Sequence, residues 1–347
     1  MRRPDGGSAA RSRVMSRITL ETSTVCIVGL GLIGGSLGMA LGAKKAVRRI
    51  VGVDVNERTL QIAVEKGAIH TGSLDLTSAC RDADLLVIAT PVRLIPKIIQ
   101  AALPHLRAGA VLTDVGSTKA YVCAAAASLF DDGARVAFVG GHPMAGSEHA
   151  GVEAARPDLF QGCSYVLCPP VVPEVRRARN KDGADSRDSA SPARGAGAAE
   201  QEAMSLVRGM VEAVGAKPVV MEPGEHDRIV AATSQLPYVA AVAVAAACAG
   251  LSGDLPRLTE LVAGGFRDGT RVASGDPVMG RDMLLTNRAE LRVALDVFRK
   301  ELDKLEQLLF AADGVDDAAA PARVEDLTRH LREVKDFRDE VYRHDGK

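Results

Sequence analysis

The chain has 347 residues, of which 47% are hydrophobic, so it is long enough to bury a core in about two domains. The net charge of −1 argues against a general affinity for nucleic acid or anionic membranes, and an aromatic content of 3% argues against base-stacking platforms. The six cysteines form no C-x-x-C pair, which predicts reduced thiols in a cytoplasmic protein without a metal site.

Residues 1–21 are predicted to form a disordered N-terminal extension, with a transit peptide as the alternative, because Met1–Arg17 holds five arginines and one acidic residue. The next segment, 22–223, is predicted to be a Rossmann-type dinucleotide-binding domain, since short apolar runs alternate with helical segments. Within it, 171–199 is polar and rich in Gly, Pro and Ser, which predicts a disordered insertion. The predicted strands are Thr24–Val28, Ile50–Val53, Leu85–Ala89, Val111–Leu112, Val136–Val139, Tyr165–Leu167 and Pro218–Met221.

A glycine-rich turn follows the first predicted strand and opens a helix, in the pattern G-x-G-x-x-G. Its first glycine allows a tight turn, its second lets a pyrophosphate approach the backbone, and its third lets helix and strand pack closely. The sequence therefore predicts a dinucleotide site at Gly29, Gly31, Leu32, Ile33 and Gly34.

Asp54 ends the second predicted strand, 20 residues after Gly34. A carboxylate there can bond a ribose 2′-hydroxyl and would repel a 2′-phosphate, which favours NAD over NADP. Arg58 keeps NADP as the alternative, because a guanidinium at that point could meet a 2′-phosphate. Thr90 and Pro91 end the third clear strand and are predicted to line the NAD site.

The run Gly140–Glu148 places a histidine, a hydroxyl and a carboxylate within seven positions, directly after the apolar strand Val136–Val139. In an open α/β sheet, ligands bind just beyond the carboxyl ends of the strands. His142 is therefore predicted to be an acid/base group aimed at the dinucleotide site.

Residues 224–312 are predicted to form an all-α substrate and dimerisation domain, because no convincing strand follows Pro223. Helical spacing is found in Asp227–Gly250, Leu255–Val262 and Asp282–Phe310. The apolar run Leu236–Leu251 is shorter than the roughly 20 residues of a membrane span and predicts a helix packed in a core or a dimer interface. Residues 313–347 are predicted to be a linker and an amphipathic tail helix.

Three further segments, taken together with the glycine loop, resemble the prephenate/arogenate dehydrogenase family of tyrosine biosynthesis. These segments are Thr113–Lys119, Gly140–Glu148 and Gly265–Ala273. The resemblance implies a Rossmann domain that carries NAD(P) and a helical domain that builds a homodimer. It also implies an oxidative decarboxylation in which hydride leaves ring C4 for the nicotinamide and the ring carboxylate departs as CO2.

By this resemblance His142 and Ser117 are the catalytic residues, which hold the C4 hydroxyl as hydride departs. Arg271 would grip the ring carboxylate, since a planar guanidinium suits bidentate binding, although a structural ion pair is the alternative. Ser147 and Glu148 would lie near the substrate tail and the arginine.

The chain departs from the family pattern at the substrate side chain. A Ser-His-Leu-Pro-His pattern reads here Ser-Gln-Leu-Pro-Tyr, so Gln235 and Tyr238 replace both histidines, and Gly280 stands where the family often has Trp. No carboxylate near Gln235 is evident that could pair an ammonium. The sequence therefore favours prephenate, which would give 4-hydroxyphenylpyruvate, with arogenate or dual cyclohexadienyl use as the alternative.

Two other classes compete with this interpretation. A β-hydroxyacid dehydrogenase shares the two-domain layout but needs a lysine early in the helical domain, and no lysine occurs from Gly224 to Leu291. A non-catalytic NAD-binding sensor remains an alternative because of the altered residues Gln235, Tyr238 and Gly280.

Overall fold

The computed structural model describes residues 18–130, 136–147, 149–172, 196–255, 257–310 and 320–344. Their contacts divide the chain into two compact units, of which the first ends at Asn287 and the second begins at Arg288. The boundary expected near Pro223 marks the change from strand to helix, but it lies inside the first unit.

A six-stranded parallel sheet forms the centre of the first unit, in the order β3-β2-β1-β4-β5-β6. Its strands are β1 (Thr24–Val28), β2 (Arg49–Val53), β3 (Thr71–Ser73), β4 (Leu85–Ile88), β5 (Val111–Asp114) and β6 (Ala137–Val139). The short strand β3 was not predicted, because its three residues carry no apolar signal. The order reverses between β1 and β4, where such sheets bind their ligands.

Side chains alternate across the sheet, so each strand feeds two cores. Val25 and Ile27 of β1 point into one core, and Cys26 and Val28 point into the other. Six helices cover the two faces: α1 (Leu32–Ala43), α2 (Glu57–Glu65), α3 (Leu76–Ala79), α4 (Ile95–Ala102), α5 (Ala120–Leu129) and α6 (Ala196–Ala213). The first core takes residues from α1, α2 and α6, and the second from α4 and α5.

A second, three-stranded sheet lies in the same unit and consists of β7 (Gly141–Pro143), β8 (Ser164–Leu167) and β9 (Lys217–Val220). β7 pairs antiparallel with β8, and β8 pairs parallel with β9. The prediction that Tyr165–Leu167 and Pro218–Met221 extend the main parallel sheet is therefore wrong. The chain leaves the main sheet after β6, and β7 is a separate strand that sequence reasoning missed.

The helical part of the first unit begins with α7 (Pro223–Val230), which continues through a π-helical turn, Ala231–Gln235, into α8 (Leu236–Leu251). The helices that follow are α9 (Leu258–Leu261), α10 (Gly264–Thr270) and α11 (Pro277–Thr286), with a 3₁₀ turn at Arg271–Ser274. The helix predicted over Leu255–Val262 is shorter than expected.

The continuous helical run Pro223–Leu251 spans 29 residues and has the length and composition of a membrane span. Only 22% of the 18-residue apolar stretch within this run is buried inside the chain. Its first half, however, carries the buried polar residues His226, Asp227 and Gln235. The absence of a membrane partner therefore stays a prediction.

The second unit consists of two helices that contact each other, α12 (Arg288–Phe310) and α13 (Ala320–His344). The helix predicted over Asp282–Phe310 is in fact interrupted at Asn287, where the chain leaves helical geometry. Five apolar side chains of the tail helix α13 are exposed: Val324, Leu331, Val334, Phe337 and Val341.

The edges of two segments predicted to be disordered are ordered. Ile18 and Leu20 pack against the first core, and α6 already begins at Ala196. Val171 forms an antiparallel bridge with Phe138. The remaining parts of the extension, the insertion and the linker lie outside the described residues.

Candidate active site

The glycine loop lies at the reversal point of the sheet, between the carboxyl ends of β1 and β4. Gly29 has φ of +90°, and a Cβ there would lie 2.6 Å from the carbonyl oxygen of Ala89. A Cβ on Gly34 would lie 2.0 Å from the carbonyl oxygen of Gly29. Only glycine fits these two positions, so the loop folds tightly and α1 packs closely on it.

The N-cap residue of α1 is Gly31, so no side chain caps the backbone N–H groups of the first turn. Leu32 and Ile33 of this turn are partly exposed. Such a helix N-terminus suits a pyrophosphate. Asp54 accepts hydrogen bonds from the backbone N–H of Leu30 at 2.9 Å and of Asn56 at 3.0 Å. Each carboxylate oxygen keeps a lone pair, so these residues fit a dinucleotide with a free ribose 2′-hydroxyl.

Thr90 and Pro91 follow β4, and Thr90 stands opposite the glycine loop. The Thr90 Cγ2 methyl lies 3.0 Å from where a Gly29 Cβ would stand. The buried Oγ1 of Thr90 has no hydrogen-bond partner among the described residues, so it is free to meet a ligand. Pro91 is exposed and precedes a short 3₁₀ turn.

His142 lies in the middle of β7, and its ring meets the ring of His226 from α7. The Nδ1 atom of His142 is 2.8 Å from Nε2 of His226, and the ring planes meet at 76°. On its other side, Nδ1 of His226 is 2.7 Å from Oδ1 of Asp227. The side chains of His142, His226 and Asp227 thus form one hydrogen-bonded row, the histidine row.

When the imidazole of His226 is neutral, the row fixes where the protons are. The carboxylate of Asp227 only accepts, so the Nδ1–H of His226 donates to it and Nε2 of a neutral His226 is left as an acceptor. His142 must then donate through its Nδ1–H, which leaves its Nε2 unprotonated. Burial, followed by the proximity of His226 and Lys119, holds the pKa of His142 well below its usual value of 6.5.

Asp227 also holds the start of α5. Its Oδ1 accepts from the backbone N–H of Lys119 at 2.7 Å, and its Oδ2 accepts from the backbone N–H of Ala120 at 2.9 Å. Asp227 lies inside α7 and caps a helix 107 residues away.

A buried ion pair holds β7 against the end of β5. The Lys119 ammonium pairs with Asp114 and donates to the carbonyl oxygen of Gly141 at 2.6 Å. Asp114 in turn accepts from the backbone N–H of Gly141 at 3.0 Å and of Gly116 at 2.8 Å. Both charged side chains are fully buried, so this pair sets the position from which His142 projects.

The loop between β5 and α5 carries the second predicted catalytic residue. Ser117 is partly buried, two residues before Lys119. The next residue, Thr118, shares a hydrogen bond of 2.9 Å between its Oγ1 and Oγ1 of Thr286 on α11. The helical region therefore closes over this loop.

Gln235 is fully buried at the end of the π-helical turn, and Asn287 fixes the direction of its amide. The Nδ2 of Asn287 donates to the carbonyl oxygen of Asp227 at 2.8 Å and to Oε1 of Gln235 at 2.9 Å. A flipped Asn287 would place its oxygen against that carbonyl. The Nε2 of Gln235 is therefore left as a buried donor without a partner among the described residues.

Tyr238 fills the space that Gly280 leaves open. A Cβ on Gly280 would lie 2.3 Å from Oη and 2.7 Å from Cζ of Tyr238. Two of the departures from the family pattern thus compensate for each other in space.

The remaining predicted substrate residues are not in the histidine row. Arg271 is exposed on the 3₁₀ turn before α11. Ser147 is exposed, and its Oγ accepts from the backbone N–H of His149 at 3.2 Å, as in a local turn. Glu148 lies outside the described residues. Among the described residues, no group of three or more His, Cys, Asp or Glu could hold a metal ion.

Two family profiles match the chain. Residues 37–174 match "Prephenate dehydrogenase, nucleotide-binding domain", and residues 222–333 match "Prephenate dehydrogenase, dimerization domain". The chain belongs to the prephenate dehydrogenase family. A prephenate dehydrogenase of Bacillus subtilis is 30% identical over 320 residues, which are 91% of this chain and 75% of the relative.

Solved structures of the prephenate dehydrogenase family share the fold. The prephenate dehydrogenase of Aquifex aeolicus, solved with hydroxyphenyl propionate and NAD+, is 28% identical with a TM-score of 0.74, over 93% of this chain and 100% of that one. The arogenate dehydrogenase of Synechocystis is 30% identical with a TM-score of 0.67, over 92% and 99%. The predicted family, its fold class and the assignment as a dehydrogenase are confirmed.

For this member of the prephenate dehydrogenase family, sequence reasoning missed five residues of the site. Asp114 and Lys119 stand within the segment Thr113–Lys119, so their opposite charges are a readable signal. The pair His226 and Asp227 is a second readable signal, because an imidazole and a carboxylate are neighbours in the sequence. Asn287 carries no local signal, because its partners lie 52 and 60 residues away.

Proposed function

We propose that this chain is an NAD-dependent prephenate dehydrogenase of tyrosine biosynthesis, which converts prephenate to 4-hydroxyphenylpyruvate and CO2. The observation that carries the proposal is the histidine row, which leaves Nε2 of His142 unprotonated at the carboxyl edge of a dinucleotide-binding sheet. An unprotonated imidazole there can accept the hydrogen bond of the C4 hydroxyl as hydride leaves.

The chain's own residues orient the substrate and hold its proton. His142 accepts from the C4 hydroxyl, and Ser117 holds the same hydroxyl from the neighbouring loop. Arg271 grips the ring carboxylate, with Ser147 and Glu148 near the substrate tail. Bound NAD supplies the hydride acceptor. Gly29, Gly31, Leu32, Ile33, Gly34, Thr90 and Pro91 hold the dinucleotide.

Asp54 supports NAD over NADP as the cofactor. Its carboxylate stands at the end of β2 and is fixed by the backbone N–H groups of Leu30 and Asn56. A 2′-phosphate placed there would meet a fixed negative charge. Arg58 is exposed in the first turn of α2 and forms no ion pair with Asp54 among the described residues.

The fixed amide of Gln235 favours prephenate over arogenate. Its free Nε2 is a donor, so it matches the oxo group that distinguishes a keto-acid side chain from an amino-acid one. An ammonium at the same place would bring donor against donor in a buried site. The arogenate dehydrogenase relative keeps arogenate as the second candidate.

We also propose a cytoplasmic homodimer formed through the helical domain. Large apolar side chains along α8, such as Val242, Val244 and Leu251, are exposed by 41–58% in the single chain. Exposed apolar rows of this kind suit burial against a second copy. The matched profile of the helical domain is named for dimerization.

Initial rates of NADH formation test the function directly. Prephenate and arogenate are each offered with NAD and with NADP, and we expect fast turnover only with prephenate and NAD. Turnover of arogenate alone would overturn the substrate assignment. Binding of NAD without turnover of either substrate would overturn the enzyme assignment and favour a sensor.

We expect Gln235→Glu to move the preference toward arogenate. The new carboxylate accepts from an ammonium but has no hydrogen bond to offer an oxo group, and a charged hydrogen bond contributes about 1.5–3 kcal/mol. The ratio of kcat/KM for arogenate to that for prephenate should rise by roughly tenfold or more. Gln235→Met, which removes the donor and the acceptor of Asn287 without adding a charge, is the matched control. An equal loss for both substrates in Gln235→Glu would contradict this assignment.

A further inference from the structure

We propose that His226 and Asp227 are positioning residues that hold His142 in the tautomer protonated at Nδ1. This inference rests on the proposed function, in which Nε2 of His142 is the reacting atom. The row of three side chains spans two elements, β7 and α7, and joins them through two hydrogen bonds of 2.8 and 2.7 Å.

The alternative tautomer of His142 is excluded by its neighbour. A neutral His226 that donates to Asp227 turns a lone pair toward His142. If His142 carried its proton on Nε2, two nitrogen lone pairs would face each other at 2.8 Å beside the buried ring of His226. The buried row therefore selects one tautomer by repulsion as well as by bonding.

Asp227 cannot turn away from this task, because three donors fix its carboxylate. The backbone N–H groups of Lys119 and Ala120 bind its two oxygens, and His226 binds Oδ1. Asp227 and His226 each have 1% of their surface exposed. The start of α5 thus serves as the rigid base of the row.

The titratable groups that face His142 among the described residues come from two neighbouring elements. Lys119 and Asp114 approach from β5 and the loop after it, and His226 and Asp227 approach from α7. Across the strand pair, His142 stands opposite the apolar Val166 of β8. Among the described groups, only His226 is hydrogen-bonded to the ring of His142.

The chemical balance of the reaction agrees with a buried row. The C4–H bond breaks as hydride leaves, the bond from ring C1 to the carboxylate breaks as CO2 leaves, and that electron pair makes the ring aromatic. Prephenate carries two negative charges, and 4-hydroxyphenylpyruvate carries one. The cofactor loses one positive charge when it accepts the hydride, so the charges balance. No proton is released, so a hydroxyl proton accepted at Nε2 returns to the same oxygen. The row needs no exit to solvent.

Nitrogen NMR of histidine-labelled protein tests the tautomer without turnover. Long-range ¹H–¹⁵N correlation should show His142 protonated at Nδ1 in the wild-type chain. His226→Leu should move it toward the Nε2–H form, while His226→Gln should keep it. A glutamine amide can donate to Asp227 and accept from His142, so it preserves the polarity without titrating.

Kinetics of the same variants complete the test. His226→Leu should lower kcat roughly 100-fold with little change in the Kd for NAD, and His226→Gln should stay within about tenfold of wild type. His70→Gln is the matched control, since His70 accepts from the backbone N–H of Ile50 at the opposite edge of the sheet. An unchanged tautomer in His226→Leu, or equal losses in both His226 variants, would overturn the proposal. Wild-type turnover of prephenate is measured alongside, so failure of the proposed function is recognised separately.

Discussion

His142→Asn should lower kcat for prephenate by about 10²–10⁴-fold, the range over which a positioned base contributes. Asparagine keeps a polar side chain of similar reach on β7 but cannot take a proton at the position of Nε2. The residues proposed to hold the dinucleotide, Gly29, Gly34 and Asp54, form no hydrogen bond with this ring among the described residues. The Kd for NAD should therefore change little. Isothermal titration calorimetry is the suitable measurement, because the chain has no tryptophan to report binding.

The same variant separates the enzyme from the sensor interpretation. A sensor that binds NAD without chemistry would lose nothing when His142 is replaced. A loss of NAD binding parallel to the loss of kcat would instead point to a structural role for His142. His70→Gln is the matched comparison, since His70 accepts from the backbone N–H of Ile50 and has no part in the histidine row.

The pH profile should carry the signature of the buried ring. Burial lowers the pKa of His142, so the imidazole stays unprotonated as the pH falls through 6.5 and accepts a proton only at a lower value. The acidic limb of kcat/KM should therefore lie below the value of 6.5 expected for an exposed histidine. An acidic limb at or above 6.5 would contradict this environment.

The features that could be predicted from the sequence are those determined by a few neighbouring residues. The glycine loop shows its strand, its turn and its helix within Thr24–Ala43, because each step depends on local backbone geometry. Asp54 follows at a spacing set by one strand–helix–strand unit. His142 stands out since glycines and an apolar strand flank it.

The rest of the site depends on contacts between distant parts of the chain. The carboxylate of Asp227 meets the backbone of Lys119 across 108 residues, and Asn287 meets Gln235 across 52. Tyr238 and Gly280 compensate for each other only once α8 and α11 lie together. Strand β7 could not be predicted because Gly141 and Pro143 are poor strand formers. Pairing with β8 imposes the extended conformation there.

Lys119→Met should destabilise the first unit by about 3–5 kcal/mol, the cost of leaving a buried charge without its partner. Asp114 is fully buried, and its only cationic partner among the described residues is the ammonium of Lys119. The carbonyl oxygen of Gly141 would lose a donor as well, which loosens the strand that carries His142. The midpoint of urea unfolding, followed by circular dichroism, measures the effect.

A double variant tells the charge from the packing. In Lys119→Met with Asp114→Asn no charge is left unpaired, and the amide oxygen can still accept one of the two backbone N–H groups of Gly116 and Gly141. The double variant should therefore recover much of the stability that the single variant loses. Lys97→Met on the exposed face of α4 is the matched control and should change stability by less than about 0.5 kcal/mol. If the double variant were less stable than Lys119→Met alone, packing of the lysine stem rather than the unpaired carboxylate would dominate, and the ion pair would not be what holds β7 in place.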